Sequence, residues 1–579
     1  TPAANALDPL TERNLHNGTV IGFQTAADSD AWLGIPYAKP PIDDLRWRAP
    51  QPPDNWTGTR DSLEYGSPCP QYASELGGIA GPAGTVLGSE DCLYMNVWAP
   101  RFINNEVPPA RRGLPVMLWI HGGGNTIGHG GSPLYDGSKL AARHNVVVMT
   151  FNYRLGPFGW FRHPALHSTA TSSEDKSGNY GTLDMIRALQ WVQQNAGAFG
   201  GNPDNVTIFG ESAGGRNVVT MMISPLAKGL FHRAIVQSGA TRSTPITQAD
   251  NYIDDEVPGD TNSGPEVLLK LLVQDGKAPN RDAAKAHVAA MADGEITRYL
   301  RHKSGEVLFN IYRSSPTTGM SSAPRVFRDG TVLRDTDTLS LIAQGQYNQV
   351  PVMLGTNRDE DKLFQAVNPK FASRTFQVFL SINDPTYYNT RADYMARLWK
   401  LRGVDQPAAL LRIHQEDVYA YRFDWDEEPD MIFADFEQAL GAAHGFEIPF
   451  IFDNFGGNFI FRLIFNRDNY VGRRILSDSM QSYWAEFAYN GAPGKGRAGE
   501  QPNWPAWDMG GDKFILLDTA ADGGIRMSAE HVTLDKVAED LKEDSRLSSQ
   551  QAKCDFYVEL FKDTTNWNDQ HYQSLGCQA

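Results

Sequence analysis

Val206-Thr207-Ile208-Phe209-Gly210-Glu211-Ser212-Ala213-Gly214 is the stretch on which the reading of this chain turns. Residues 206–209 form a short β-branched and aromatic run, and a helical pattern begins at Ala213. Ser212 is therefore expected at a sharp strand-to-helix turn. Such a turn strains the backbone of its central residue, and glycines on either side remove side chains that would collide. The helix that starts there points its first N–H groups at any negative charge developing beside the serine. Alone, Gly-x-Ser-x-Gly is a weak signal in a chain with 54 glycines. Between a strand and a helix it marks a candidate nucleophile.

Working outward, residues 115–121 read as a buried strand that ends in Gly122-Gly123-Gly124. Residues 145–152, 233–237 and 350–354 read as further strands, and residues 182–195 as a helix with apolar Leu183, Ile186, Leu189 and Val192 on one face. Short β-rich runs alternating with helices predict a mostly parallel sheet flanked by helices. The glycine cluster lets backbone N–H groups approach a substrate carbonyl, so Gly123 and Gly124, with Ala213, are the candidate donors to an oxyanion. Residues 243–264 are polar and read as an exposed insertion. Helical patterns dominate 265–300 and 388–439, which are expected to form a cap. Residues 471–489 read as another helix, 514–517 as a late strand, and 539–546 as a solvated helix face.

A serine nucleophile needs a histidine base and a carboxylate that orients it. Asp359, Glu360 and Asp361 follow the strand at 350–354, and the pattern does not choose among them. Four histidines come later, His414, His444, His531 and His571. Of these only His444 sits in a glycine-rich loop, Gly441-Ala442-Ala443-His444-Gly445-Phe446-Glu447, which makes it the favoured base.

The chain has 579 residues with Lys+Arg 52 against Asp+Glu 68, a net charge of −16. Charge of that sign repels phosphate backbones, which argues against nucleic acid as a partner, and it favours cationic or neutral substrates unless local charge differs. No apolar run approaches the roughly 18–20 residues of a membrane span. A start at Thr1 rather than Met is what a removed leader or a trimmed chain would leave. The cysteines fall in two local pairs, Cys69 with Cys92 and Cys554 with Cys577. Two disulfides are expected, and with them an oxidising compartment, secreted or periplasmic. No Cys-x-x-Cys and no neighbouring histidine suggests zinc. Length alone suggests two domains or more. The spread from Ser212 to His444 instead predicts one enlarged domain over residues 1–579, with helical insertions at about 265–300 and 388–439.

These residues resemble the type-B carboxylesterase and cholinesterase family of α/β-hydrolases, from about Gly34 to Trp507. The likeness is densest across Ser89-Glu90-Asp91-Cys92-Leu93-Tyr94-Met95-Asn96-Val97-Trp98, the glycine cluster, Asn152-Tyr153-Arg154-Leu155-Gly156, and residues 178–215. It implies an α/β-hydrolase fold: a large, mostly parallel central sheet flanked by helices, with helical insertions capping the active site. It further implies a Ser212–His444–Glu360 triad, an oxyanion hole at Gly123, Gly124 and Ala213, and a Cys69–Cys92 disulfide. Ion pairs Arg46–Glu90 and Arg154–Asp184 are implied as structural, and Glu211 as a supporting residue near the site floor. The implied activity is hydrolysis of small to medium carboxylic esters through an acyl-enzyme, with no metal or organic cofactor. The alternatives are an amidase or peptidase with the same triad, or a non-catalytic binding protein of the family. Departures argue against choline esters. Tyr72 is the only aromatic between Cys69 and Cys92, Leu363 stands where the family has an aromatic, with Phe364 beside it, and Asn125 follows the glycine cluster. Pocket walls are expected from Glu211, Asn125, Thr126, Leu363, Phe364 and the segment near Met320. A small-molecule ester is the expected partner, and oligomeric state is not legible.

Overall fold

The structure, a computed structural model, describes residues 5–578 other than 103–105, 313–314, 316, 323–324, 376–378, 432–433, 458, 563 and 565. Among these, an eleven-stranded sheet runs through the molecule. In chain order its strands are Phe23–Gln24 (β1), Ser29–Pro36 (β2), Tyr94–Pro100 (β3), Leu114–Ile120 (β4), Val147–Phe151 (β5) and Gly201–Glu211 (β6). Arg233–Gln237 (β7), Val352–Asn357 (β8), Val418–Phe423 (β9), Phe514–Leu517 (β10) and Arg526–Ser528 (β11) follow. They lie in the order β11-β10-β9-β8-β7-β6-β4-β5-β3-β2-β1. From β5 through β4 to β10 all neighbours are parallel. Both margins are antiparallel, β3 with β2 and β1 on one side and β11 on the other.

The central strands read as unbroken apolar runs because both faces of a parallel sheet are covered. Alternate residues of β4 divide accordingly. Val116, Leu118 and Ile120 join one core with Val147, Met149 and Phe151. Met117 and Trp119 join a second, with Val148 and Phe209. Helices Tyr180–Asn195 (α1) and Ala213–Ile223 (α2) cover the first face through Leu183, Ile186, Leu189, Val218 and Met222.

Between β7 and β8 the first insertion includes helices Gly264–Gln274 (α3), Arg281–Val288 (α4), Asp293–Arg301 (α5) and Gly305–Ile311 (α6). Ser263, Asn280 and Ser304 accept backbone N–H groups at the starts of α3, α4 and α6, satisfying donors that a helix start leaves open. The second insertion is shorter than expected. Helix Pro385–Lys400 (α7) passes through a π-helical segment, Leu401–Asp405, into Gln406–Leu411 (α8), and the next helix of the expected block is the single turn Phe436–Ala439. Residues 418–423, inside the expected 388–439 block, are instead the central strand β9, and residues 432–433 lie outside the described residues. Tyr419, Tyr421 and Phe423 face one core while Val418 and Ala420 face the other, a period of two that a helical reading cannot accommodate.

Helix Tyr470–Asn490 (α9) covers the second face through Leu476, Met480, Tyr483 and Phe487. The C-terminal helices Leu534–Glu543 (α10), Gln550–Phe561 (α11) and Asp569–Ser574 (α12) form a third core with Tyr394 and Leu398 of α7. Both disulfides are formed, Cys69–Cys92 and Cys554–Cys577. No helix among the described residues is long and apolar enough to cross a membrane.

Candidate active site

Strands β4, β6, β7 and β8 bring their carboxyl ends to one place, where loops of an open parallel sheet can be functional without disturbing its core. Ser212 follows β6 with φ at 58° and ψ at −117°, and its N–H donates to the Gln237 carbonyl at the end of β7 (2.9 Å). The flanking glycines are needed for contact. A Cβ on Gly214 would lie 1.9 Å from the Ile120 carbonyl oxygen, and one on Gly210 2.5 Å from the same atom. The helix start is thus pressed directly onto the end of β4.

The glycine loop meets the serine turn from the other side. A Cβ on Gly122 would stand 2.9 Å from Glu211 Oε2 and 3.2 Å from the Ser212 Cβ. Gly123 has φ at 92°, and a side chain there would strike the Ile127 carbonyl. Among the described residues the N–H groups of Gly123, Gly124 and Ala213 have no hydrogen-bond acceptor. The neighbouring polar residues are committed to scaffolding. His121 is buried, stacks on Tyr153 with centroids 4.3 Å apart, and burial pushes its pKa down to about 3. The Asn125 side chain is fully buried and accepts from Asn217 Nδ2 at 2.8 Å, so it faces the scaffold. Thr126 accepts from the N–H of Ser321, and the Met320 sulfur lies beside Gly124.

Glu360, three residues beyond β8, is fully buried. Its Oε1 accepts from Thr356 Oγ1 and the Asn357 N–H, both at 2.8 Å, and its Oε2 lies 2.5 Å from His444 Nδ1. A carboxylate fixed by two donors fixes the imidazole in turn and selects the tautomer with hydrogen on Nδ1. Asp359 and Asp361 are paired elsewhere, with Arg358 and Lys362 and with Arg391 respectively. Asn357 Nδ2 also reaches the Ala443 carbonyl (2.8 Å) and Glu447 Oε2 (2.7 Å), tying β8 to the His444 loop. Glu447 accepts from Gln237 as well, so one buried network spans three loops.

The other imidazole nitrogen, His444 Nε2, is 3.0 Å from Glu211 Oε1, off the hydrogen-bonding direction. No hydrogen bond joins it to Ser212 among the described residues. Burial lifts Glu211 above the usual carboxylate range, with Glu447 and Glu360 adding to the shift and His444 opposing it. Burial pulls His444 down, but Glu211, Glu360 and Glu447 outweigh it and raise the imidazole. Phe364 and Trp399 flank the ring at 5.2 and 4.8 Å between centroids, while Leu363 packs against the second core. Such a site can take a proton from a hydroxyl, hold the resulting cation, and bind an oxyanion on three N–H groups. Away from Ser212 in the chain, at the ends of β9 and β10, the carboxylates of Glu427, Asp518 and Asp522 lie within 4.8 Å of one another. Burial lifts Asp518 to about 7, which weakens that trio as a cation site.

The sequence matches the carboxylesterase family over residues 10–406 and 383–534. The chain belongs to the carboxylesterase family. The para-nitrobenzyl esterase of Bacillus subtilis is 34% identical over 501 residues, covering 84% of this chain and 91% of that protein. The fumonisin B1 esterase of Sphingopyxis macrogoltabida is 33% identical over 541 residues, covering 90% and 89%. A solved para-nitrobenzyl (PNB) esterase structure superposes with a TM-score of 0.65 at 31% identity, covering 90% of this chain and 97% of its own. The fold is accordingly that of an α/β-hydrolase, and the enzyme class is a carboxylesterase-type serine hydrolase.

Within this carboxylesterase the ion pairs implied by the resemblance are present. Arg154 grips Asp184 through two bonds of 2.7 and 2.8 Å, and Arg46 donates to Glu90. Other site residues had no local signal. Trp399 lies on α7, far from any motif, and donates to the Ser238 carbonyl (3.0 Å). Asn357 and Glu447 stood inside recognised segments, yet only the fold joins them.

Proposed function

We propose that this carboxylesterase hydrolyses small to medium esters through Ser212, His444 and Glu360. The observation that carries the reading is the Glu360–His444 contact meeting a serine turn closed over by the glycine loop. His444, held by Glu360, takes the Ser212 proton as the hydroxyl oxygen attacks the ester carbonyl. Gly123, Gly124 and Ala213 receive the oxyanion, the alcohol leaves with the proton from His444, and water activated by His444 releases the acid. For this the imidazole must exchange its contact with Glu211 for one with Ser212, an adjustment common between free and substrate-bound enzymes. Glu211 acts by stabilising the imidazolium. The whole chain is read as one enlarged catalytic domain. The two disulfides fit an oxidising compartment, secreted or periplasmic.

Replacing Ser212→Ala or His444→Ala should lower kcat on a 4-nitrophenyl ester by on the order of 10⁵- to 10⁶-fold, and Glu360→Gln by about 10⁴-fold. A fluorophosphonate should add its mass to the peptide containing Ser212 and to no other. Near-normal turnover by Ser212→Ala would refute the assignment.

A further inference from the structure

Helix α7 does not stop at Lys400 but widens. The N–H of Gln406 bonds to the Leu401 carbonyl five residues back, and residues 401–405 make a π-helical turn. Two residues show why the turn forms here. Pro407 has no N–H to offer the Gly403 carbonyl, so the regular four-residue register cannot continue. Gly403 is pressed onto the loop after β7, where a Cβ would lie 2.8 Å from the Gly239 carbonyl oxygen. Such turns inside helices are rare and recur at functional sites.

An ion pair of matching spacing spans the turn. Lys400 and Asp405 are five positions apart, and Lys400 Nζ lies 2.7 Å from Asp405 Oδ2, with the two side chains 3% and 0% exposed. Asp405 Oδ2 also accepts the Val532 N–H (3.0 Å), and Lys400 stands over the Phe514 ring, 4.3 Å from its centroid. Desolvation cancels most of the attraction in a pair buried so deeply, so net stability does not account for it.

The residue before Lys400 reaches the candidate site. Trp399 donates its indole N–H to the Ser238 carbonyl (3.0 Å). Ser238 is itself held in left-handed backbone, φ at 47°, with its N–H on the Gly355 carbonyl (2.8 Å), so the acceptor is fixed between the ends of β7 and β8. The π-turn backs the same ring, for a Cβ on Gly403 would stand 3.7 Å from Trp399 Cδ1. The indole centroid thus lies 4.8 Å from that of His444, and Phe364 is nearly parallel to the indole, at 10° and 6.2 Å. Trp399 and Phe364 keep part of their surface exposed while the imidazole is buried, so a molecule that reaches His444 meets these two faces.

We propose that Trp399 limits the size of the ester group admitted beside His444, and that Lys400 and Asp405 are positioning residues that hold the π-turn and, through it, the indole. This rests on the serine-esterase reading above and adds to it a limit on substrate bulk. An indole tied at its nitrogen and backed by a packed turn does not swing aside, so a bulky group next to the reacting carbonyl competes with it for space.

The test uses ratios of kcat/KM, in which the intrinsic reactivity of each ester cancels between enzymes. One pair varies the acyl group, 4-nitrophenyl acetate against 4-nitrophenyl benzoate. The other varies the alcohol, methyl butanoate against benzyl butanoate. Trp399→Ala should raise the bulky-to-small ratio of one pair by about tenfold, and Trp399→Phe, which keeps a ring but loses the bond to Ser238, should raise it by less. The pair that moves identifies the side of the ester lying against the indole. Lys400→Met combined with Asp405→Asn removes both charges together, leaving no lone buried ion, and keeps an acceptor for the Val532 N–H. That double variant should move the same ratio in the same direction, as should Gly403→Ala, which forces the turn off the Gly239 carbonyl. If Trp399→Ala does not fold, Trp399→Phe carries the comparison. Ratios that stay within about twofold of wild type in the folded Trp399 variants overturn the size limit and leave the esterase reading standing. A ratio moved by Trp399 substitution, with turn variants that change only the thermal midpoint, overturns the positioning role of Lys400 and Asp405. Wild-type failure on all four esters, with Ser212 unlabelled by fluorophosphonate, removes both readings.

Discussion

His444 has carboxylates on both sides, and the two do different work. Glu360 is fully buried and bound by Thr356 and Asn357, so it orients the ring. Glu211 is in contact with Nε2, the nitrogen that takes the Ser212 proton in the proposed mechanism. Burial disfavours the imidazolium, but the surrounding carboxylates favour it more and raise its pKa. Because the base works only when neutral, a raised pKa places the acid limb of the rate profile at higher pH. Glu211→Gln removes one stabilising carboxylate, lowers the imidazole pKa, and should shift that limb of kcat/KM to lower pH by about one unit. The pair titrates jointly, so the limb should also steepen or simplify in the variant. An unmoved limb would show that Glu211 does not act on His444. Much of this site was legible beforehand. Ser212, Gly123, Gly124 and His444 stand in local motifs, whereas the choice among Asp359, Glu360 and Asp361 rested on resemblance, because three adjacent acids after a strand look alike until their partners are seen. Trp399 was invisible, since it lies on α7 far from any motif and only the fold brings its ring beside His444.

At the scale of elements, the strand–turn–helix unit from β6 to α2 works because its glycines let backbone touch backbone. Gly214→Ala would force a Cβ to 1.9 Å from the Ile120 carbonyl, and something must move. The expected cost is about 2 kcal/mol or more in stability, with a fall in kcat as Ser212 is displaced. Gly294 in α5 offers the contrast, since nothing lies within 4 Å of its Cβ position. Gly294→Ala should stabilise by about 0.5–1 kcal/mol and leave kcat alone. Thermal midpoints and kinetics of the two variants check this, and equal effects would refute it. Element existence was mostly readable, as β7 and β10 occur at the expected residues and α1 and β4 lie within two residues of theirs. Strand β9 was missed. Its six residues sit after two helices, and Tyr419, Tyr421 and Phe423 alternate too briefly to stand out against the helical stretch before them.

For the whole molecule, the two disulfides separate stability from catalysis. Each closes 23 positions, so the chain-entropy argument assigns them the same contribution, about 3 kcal/mol. Their surroundings differ. Cys69–Cys92 belongs to the principal core, and its loop is stitched to the site's periphery: Gln71 accepts from the Gly128 N–H (2.7 Å), just past the glycine cluster, and Tyr72 donates to the Phe309 carbonyl of the first insertion (2.7 Å). Cys554–Cys577 joins only the third core, where α10, α11 and α12 pack on α7. Helix α7 also carries Trp399 beside His444, but the tail touches its other residues, Tyr394 and Leu398. Substituting both tail cysteines by serine should therefore shorten the thermal-inactivation half-life while kcat/KM at moderate temperature stays within about twofold. Substituting Cys69 and Cys92 should shorten the half-life comparably and also lower kcat/KM, because the glycine loop loses a support. Purified double-serine variants, assayed for ester hydrolysis before and after heating, decide the matter. Equal losses of kcat/KM in the two would mean that the tail core is coupled to the site through α7 after all.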